Sequence, residues 1–355
     1  MVPPGRMDLR VIDGRGAARG RPSPDDAGRL GRPSPGREDL LRPVDLLLVA
    51  YLLVTAVPIV VFHQRLPDYL LYLTLHLAGV VAILRGASPR PANPVLGLAR
   101  DWYPVIAIVP LYAELGALTR LVSETRHDAW AAGLEERLFG GQPSQTLHAL
   151  LPSPWVDEYL HLCYFSYYFI PISLALWLTV RRERASLSEA LTATLGSFLV
   201  CALVFIAFPV AGPYHHFGYR PAAEMAGFFP RIAHGVIQTG SSVGTAFPSS
   251  HTAVAFAVWL SAWRLARPLF WVLALVVPGL AVGTVYGGFH YAVDTLAGAA
   301  IGCAAAFLAP GAHEAIAAWL SGRRAGLGSA GRLGRRSRLP ATKRGERVGS
   351  EEEVQ

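Results

Sequence analysis

Runs of about twenty predominantly apolar residues recur along this 355-residue chain, and a helix of that length spans the hydrocarbon core of a bilayer. The composition agrees, because 52% of the residues are hydrophobic and only 16% are charged. The charged residues concentrate at the two ends of the chain and in short gaps between the apolar runs. The chain is therefore predicted to be an all-α, polytopic membrane protein.

Eight apolar runs are candidate transmembrane spans. They cover residues 44–62, 66–84, 103–119, 157–180, 189–209, 248–264, 268–286 and 289–309. The third run is the least regular, because it contains Pro104, Pro110 and Glu114. We expect one membrane domain over residues 44–310.

The two ends of the chain differ from the membrane domain. Residues 1–43 are rich in Arg, Gly and Pro and lack apolar periodicity, and residues 311–355 are strongly charged. Both segments are predicted to be disordered cytoplasmic tails. The first apolar run begins near Val44, too far into the chain for the apolar region of a cleavable signal peptide.

The distribution of basic residues predicts the orientation in the membrane. With eight spans and both termini in the cytoplasm, 26 of the 32 Lys and Arg residues lie in cytoplasmic segments. The formal net charge of +7 is therefore explained by the basic cytoplasmic segments, and no nucleic-acid partner is expected. The protein is expected in the plasma membrane. Cys163, Cys201 and Cys303 all lie inside apolar runs and are interpreted as buried residues without a disulfide or metal framework.

Residues 120–156 form a long segment on the predicted outer side. Trp130, Leu134, Leu138 and Phe139 are spaced among charged residues there, which is typical of an amphipathic helix. Two interpretations remain open: helices that lie along the membrane interface, and a loop helix that packs on the bundle.

Two short motifs stand at the starts of long apolar helices. Pro-Ser-Ser-His ends at His251, and His-Tyr-Ala-Val-Asp runs from His290 to Asp294. One span separates them, so both histidines are predicted at the same face of the membrane. A helix N-terminus binds anions, and Ser249 and Ser250 can cap the helix or donate hydrogen bonds to a phosphate.

The spacing of four residues from His290 to Asp294 places both side chains on one face of a helix. The carboxylate can accept one ring N–H and leave the other ring nitrogen free to attack an electrophile. The alternatives are an ordinary serine cap with an interfacial His251 and a structural His–Asp pair that joins two helices.

Pro-Ser-x-His followed about 40 residues later by His-x-x-x-Asp resembles the type 2 phosphatidic acid phosphatase superfamily. The resemblance covers the last few spans strongly and the rest of the chain only in architecture, and it implies a catalytic core in the C-terminal half. It implies that His290 attacks phosphorus and forms a phosphohistidine, that Asp294 orients it, and that His251 is the general acid and base. Ser249 and Ser250 would bind the phosphate.

The chain departs from the usual motifs of that superfamily. Val282-Gly283-Thr284 stands where a Ser-Arg pair is usual, and the first motif, with its Lys and Arg-Pro, is absent. These departures resemble the branch of inositol phosphorylceramide synthases, which transfer a phospho-headgroup from a glycerophospholipid to the hydroxyl of another lipid. Arg220, His215 and Tyr291 are then the further candidates for substrate binding.

The resemblance implies an enzyme that acts on membrane lipids without a metal or other cofactor. Transfer to a lipid hydroxyl is the favoured reaction, and hydrolysis of a lipid phosphate is the alternative. A transporter with a His/Asp proton relay, an intramembrane serine protease and a zinc site built from His215, His216, His251 and His290 are further alternatives. In the fourth run, Tyr164, Tyr167 and Tyr168 could line a substrate groove, although an aromatic belt at the membrane interface is favoured.

Overall fold

In the computed structural model, the described residues are 41–86, 93–218 and 225–336, with side chains described up to residue 320. The predicted N-terminal tail falls almost wholly outside these residues. The described chain is all-helical. Its α-helices are α1 (Pro43–Val61), α2 (Tyr69–Gly86), α3 (Pro94–Val122), α4 (Asp128–Phe139), α5 (Pro143–Leu150), α6 (Pro154–Phe165), α7 (Ile170–Val180), α8 (Arg184–Ala207), α9 (Pro213–His216), α10 (Phe228–Gly240), α11 (Ser250–Leu265), α12 (Arg267–Ala274), α13 (Val277–Tyr286) and α14 (Ala292–Arg336).

Six helical segments in the described chain are long and apolar enough to cross a membrane, and a bent pair raises the number to seven. The bent pair is α6 and α7, whose axes differ by 52°. The sixth predicted span, residues 248–264, corresponds to α11, which has 16 residues and is about 24 Å long at 1.5 Å per residue. The protein is therefore a multi-pass helical membrane protein.

Prolines explain two interruptions in the predicted spans. The chain leaves regular α-helix at residues 166–169 and at residues 275–276, each time just before a helix with proline at its second position, Pro171 or Pro278. A proline lacks the N–H that would continue the preceding hydrogen-bond ladder, and it disfavours helical geometry in the residue before it. By contrast, Pro104 and Pro110 lie inside the continuous 29-residue helix α3, which begins nine residues before the predicted start at residue 103.

Helix α8 lies at the centre of the bundle. It packs against α1, α3, α7, α11 and α14, and its buried face includes Phe198, Cys201 and Phe205. Helix α14 passes the predicted boundary at residue 310 and continues to Arg336.

Helices α11 and α14 pack closely and carry the two sequence motifs. Gly298 and Gly302 of α14 face the backbone of α11, where a Cβ atom on either glycine would collide with the carbonyl oxygen of Ser249 or Ala253. Small residues four apart allow two helix backbones to approach in this way. The motifs therefore lie side by side at one end of the bundle.

Candidate active site

The two motif histidines meet at the N-terminal ends of α11 and α14. His251 is the second residue of α11, and His290 lies two residues before α14. The Nε2 atom of His290 is 3.5 Å from the Nδ1 atom of His251, and the side chain of His290 is 6% exposed. The two ring nitrogens thus lie close together, one on the buried His290 and one on the half-buried His251.

A main-chain carbonyl fixes the ring of His290. Its Nδ1 atom is 3.0 Å from the carbonyl oxygen of Ala246. Since a carbonyl only accepts hydrogen bonds, Nδ1 must carry a hydrogen, and in the neutral ring Nε2 then holds the lone pair. Ala246 is itself held by its N–H bond to the carbonyl of Val210, at 2.9 Å. The nitrogen that holds the lone pair therefore faces His251.

Asp294 lies close to His290 but has another hydrogen-bonding role. Its Oδ2 atom is 3.6 Å from Nδ1 of His290, and it accepts the N–H of Tyr291 at 2.9 Å. The carbonyl oxygen of Asp294 also accepts the N–H of Ser249, at 2.9 Å. The buried carboxylate thus lies close enough to stabilise positive charge on His290, while the main-chain carbonyl of Asp294 ties the two motifs together.

Two tyrosines of the fourth predicted span contact His251. Its ring lies 5.2 Å from the ring of Tyr164 and 4.3 Å from that of Tyr167, and its Nε2 atom is 3.5 Å from the hydroxyl of Tyr164. Tyr164 is 1% exposed. The preference for an aromatic belt was wrong for Tyr164 and Tyr167, because both rings contact His251.

The two motif serines are buried and have different surroundings. Ser249 is the N-cap of α11, and its hydroxyl accepts the N–H of Thr252 at 3.4 Å. Its side chain is 0% exposed, so its hydroxyl serves the helix cap. Ser250 is 2% exposed and, together with His251, lines a neighbouring cavity. Of the two hydroxyls, the structure brings that of Ser250 to a substrate-sized space.

Two of the other candidates for substrate binding, Tyr291 and His215, make their side-chain hydrogen bonds outside the histidine pair. Tyr291 is 0% exposed, and its hydroxyl points to Asp128 at 3.5 Å. His215 bonds to the hydroxyl of Ser241 at 3.2 Å. Burial and the nearby Arg126 lower the pKa of His215 below its usual value, so at neutral pH it brings no positive charge to a phosphate. Arg220 lies outside the described residues.

Helix α4 contributes two buried carboxylates that the sequence analysis missed. Asp128 accepts the N–H groups of Ala211 and Gly212, and Glu135 accepts the N–H of Ala292 at the start of α14. Burial, with a smaller effect of the nearby Asp294, raises the pKa of Glu135 to about 7. The sequence did contain a signal for this burial, because residues 128, 131 and 135 share one helical face. Helix α4 thus packs on the bundle, as the second of the two interpretations of residues 120–156 predicted.

An apolar cavity of about 370 Å³ reaches the site from the membrane side of the bundle. It lies between α3, α7, α8 and α10, and its lining includes Tyr112, Ile172 and Phe198 as well as Ser250 and His251. Val109, another lining residue, is 71% exposed on the outside of the bundle. The apolar lining of this cavity suits the acyl chain of a lipid. The polar headgroup of such a lipid would lie at His251.

The described residues contain no group of three or more His, Cys, Asp or Glu side chains placed to hold a metal ion. The chemistry available at this end of the bundle is that of two imidazoles, one carboxylate and the N-terminus of α11. That set can perform nucleophilic attack and proton transfer.

Comparison with known proteins identifies the family. A sequence model of the PAP2 superfamily matches residues 129–308, which is half of the chain and includes both histidine motifs. Searches of the curated proteins and of the solved structures gave no match. The matched region begins in α4 and ends in α14, so it contains Glu135, Tyr164 and the entire histidine pair. This chain belongs to the PAP2 superfamily.

Proposed function

We propose that the protein is a phosphotransferase that acts on lipid phosphoesters at the extracytoplasmic face of the membrane. In this proposal His290 forms a phosphohistidine. The phospho-headgroup, which resembles inositol phosphate, then passes from His290 to the hydroxyl of an acceptor lipid. Members of the superfamily are generally phosphatases or phosphotransferases. The observation that carries the proposal is that Nε2 of the buried His290 lies 3.5 Å from a second histidine, His251.

In the first step, Nε2 of His290 attacks phosphorus and the bond from phosphorus to the lipid oxygen breaks. His251, as an imidazolium stabilised by the anionic phosphoester, gives its Nδ1 proton to that oxygen. In the second step, neutral His251 takes a proton from the acceptor hydroxyl. The acceptor oxygen then attacks phosphorus, and the bond to His290 breaks.

Tyr164 supports both protonation states of His251. A phenolic hydroxyl can accept a hydrogen bond from Nε2–H of the imidazolium, and it can donate one to Nε2 of the neutral ring. The 3.5 Å separation in this structure is long for such a bond, and it would shorten when the site closes on a substrate. We therefore assign Tyr164 the role of orienting His251.

The position of the apolar cavity supports a lipid leaving group. His251, the proposed acid, lines the cavity that fits an acyl chain. The oxygen that receives its proton would therefore belong to the hydrophobic part of the donor. Both a transferase that releases diacylglycerol and a phosphatase that acts on phosphatidic acid have this feature.

The test uses purified protein in mixed micelles with phosphatidic acid or phosphatidylinositol, each with and without diacylglycerol or ceramide. Free phosphate and new phospholipid products are measured in the same samples. A new lipid that requires the acceptor and is absent with His290→Gln supports transfer. Phosphate release without an acceptor makes the protein a phosphatase. Equal turnover by wild type and His290→Gln would reject the mechanism.

A further inference from the structure

A second cavity, of about 380 Å³, lies where α3 ends, at the same end of the bundle as the histidine pair. Its wall consists of the last turn of α3, the loop that leads to α4, and residues 209 and 243–244. Neither His251 nor His290 is among its described lining residues, and it shares none of them with the apolar cavity. Its volume is in the range of small-molecule sites, about 300–1,000 Å³. A ligand here would therefore be separate from the group that reacts at His290.

Positive charge predominates on this wall. The charged residues among its described lining are Arg120, Arg126 and Glu124. Arg65, from the loop between α1 and α2, has its Nη2 atom 3.5 Å from Oε1 of Glu124 and offsets the charge of that carboxylate. The Nε–H of Arg120 donates to the carbonyl of Gly116 in its own helix, at 3.1 Å. Within the described part of the chain neither Arg120 nor Arg126 forms an ion pair, so both guanidinium groups can bind an anion.

Two main-chain N–H groups of the wall have no hydrogen-bond partner among the residues that the structure describes. They belong to Val243 and Gly244, which form a turn, and Gly244 is buried. Gly244 has a φ of +105°, and a Cβ atom there would lie 3.1 Å from the side chain of Thr119, so the turn requires glycine. Buried N–H groups without partners are rare, and successive N–H groups of a turn form anion-binding concavities. An acceptor oxygen held in the cavity can supply the missing partner.

The donors of this wall suit a phosphate group. Guanidinium groups bind phosphate through paired N–H bonds, and a phosphate has enough oxygens to accept from two arginines and from main-chain N–H groups together. A carboxylate has only two oxygens, and an uncharged ligand would leave both arginines without a counter-charge.

The distribution of arginines also favours an anionic ligand. In the eight-span topology six arginines lie on the outer side, and three of them, Arg65, Arg120 and Arg126, meet at this cavity. Basic residues are depleted on that side of membrane proteins, so their concentration at one place indicates a function. The ends of transmembrane helices lie at the level of the lipid headgroups, where phosphate groups are abundant.

From these contacts we propose that the cavity at the end of α3 binds a phosphate group that no reaction of the protein consumes. The phosphate belongs either to an anionic lipid of the adjacent leaflet or to free inorganic phosphate. Gly244 lies two residues before Ala246, whose carbonyl is 3.0 Å from Nδ1 of His290. A ligand bound at Gly244 would therefore restrain the segment that orients His290.

The test measures thermal unfolding of the purified protein in a non-ionic detergent, with the ionic strength held constant by sodium chloride. Separate titrations add inorganic phosphate, dioctanoyl phosphatidylglycerol, and dioctanoyl phosphatidylcholine as the zwitterionic reference. Every protein carries His290→Gln, so that turnover does not consume the added lipid. In that background Arg120→Gln together with Arg126→Gln is compared with Arg137→Gln. Arg137 is an exposed arginine of α4 that is not among the lining residues, and Arg120 and Arg126 are also exposed, so all variants should fold.

We expect inorganic phosphate or phosphatidylglycerol to raise the melting temperature in a saturable way, because a ligand that binds only the folded state stabilises it. The double variant should raise the apparent Kd about tenfold or more, since hydrogen bonds to charged groups are strong, whereas Arg137→Gln should leave it unchanged. An effect of phosphatidylglycerol alone assigns the site to a lipid headgroup, and an effect of inorganic phosphate alone assigns it to the free anion.

Binding at the histidine pair contributes equally in all of these proteins and does not alter the comparison. Equal shifts in the double variant and in Arg137→Gln, or no shift with either ligand, would overturn the inference. Because no turnover is measured, this result is independent of the proposed function.

Discussion

At the scale of single residues, the main chain orients the proposed nucleophile. The carbonyl of Ala246 is 3.0 Å from Nδ1 of His290, whereas Oδ2 of Asp294 is 3.6 Å away. The tautomer of His290 therefore depends on the 245–247 segment as well as on Asp294. The carboxylate adds negative charge beside a ring that becomes positive when it bonds to phosphorus.

This division of roles predicts the behaviour of Asp294→Asn. The amide oxygen can still accept the N–H of Tyr291, and the Ala246 carbonyl still fixes the tautomer, so the variant should fold. The loss of charge should lower kcat about 10- to 100-fold and leave KM nearly unchanged. Steady-state kinetics with circular dichroism checks both points. A loss as large as that of His290→Gln would contradict the role given to Ala246.

The raised pKa of Glu135 predicts that the stability of the folded protein depends on pH. Its pKa is raised from 4.5 to about 7, so its contribution to stability is fully present below about pH 4.5 and is lost as the pH rises through 7. Glu135→Gln cannot ionise and still accepts the N–H of Ala292. Relative to wild type, the variant should therefore become more stable as the pH rises from 5 to 8, by on the order of 3 kcal/mol at most.

Thermal unfolding in detergent at pH 5 and pH 8 measures this difference. Glu136→Gln is the matched control, because Glu136 is an exposed neighbour on the same helix. The same pH dependence for wild type and Glu135→Gln would rule out a buried, titrating Glu135.

At the scale of elements, carboxylates bind the N-terminal ends of three helices around the site. Asp128, Glu135 and Glu158 accept main-chain N–H groups that precede or begin α9, α14 and α10, respectively. Helix N-termini carry a partial positive charge, so each pairing is favourable. The contact of Glu135 attaches α4 to the loop that carries His290, and the contacts of Asp128 and Glu158 hold the starts of α9 and α10.

The glycines of α14 set the distance between the two motif helices. In Gly298→Ala the new methyl group would meet the carbonyl oxygen of Ser249, two residues before His251. Overpacking of this kind costs about 1–3 kcal/mol, so a lower melting temperature and a loss of activity are expected. Gly311→Ala is the control, since no atom lies within 4 Å of the place that its new methyl group would take. Equal melting temperatures for both variants would contradict the close packing.

The sequence predicted the helical class, most of the span positions and the meeting of His251 with His290, because apolar length and motif spacing are local signals. It missed the buried face of α4, because Asp128 and Glu135 are polar and are buried only through contacts with distant loops. It also missed Tyr164 as a partner of His251, because that contact joins residues that are 87 positions apart in the chain. Contacts between side chains and groups that are distant in the chain produce no periodic pattern in the sequence.

At the scale of the whole molecule, the two ends of the bundle differ. The histidine pair lies at the end where α3 and α8 terminate and where α11 and α14 begin. The short connection at residues 181–183, between α7 and α8, lies at the opposite end and contains two arginines. The positive-inside tendency then supports the proposal that the site faces outward.

Labelling of introduced cysteines tests this orientation in intact cells. Gln64→Cys lies in the loop between α1 and α2 at the histidine end, and Ala185→Cys lies near the start of α8 at the opposite end. Both positions are exposed. A membrane-impermeant thiol reagent should label Gln64→Cys directly and Ala185→Cys only after permeabilisation, with wild type as the background. The reverse pattern would place the histidine pair in the cytoplasm.

The central claim is that His290 bonds covalently to phosphorus during turnover. The most direct measurement is a rapid-quench experiment with lipid donors that carry a radiolabelled phosphate, followed by peptide mapping under alkaline conditions that preserve phosphohistidine. The account predicts a transient label on His290 in wild type, and no label with a loss of turnover of about 10³-fold or more in His290→Gln. Unchanged turnover in His290→Gln, or a label on a different residue, would contradict it.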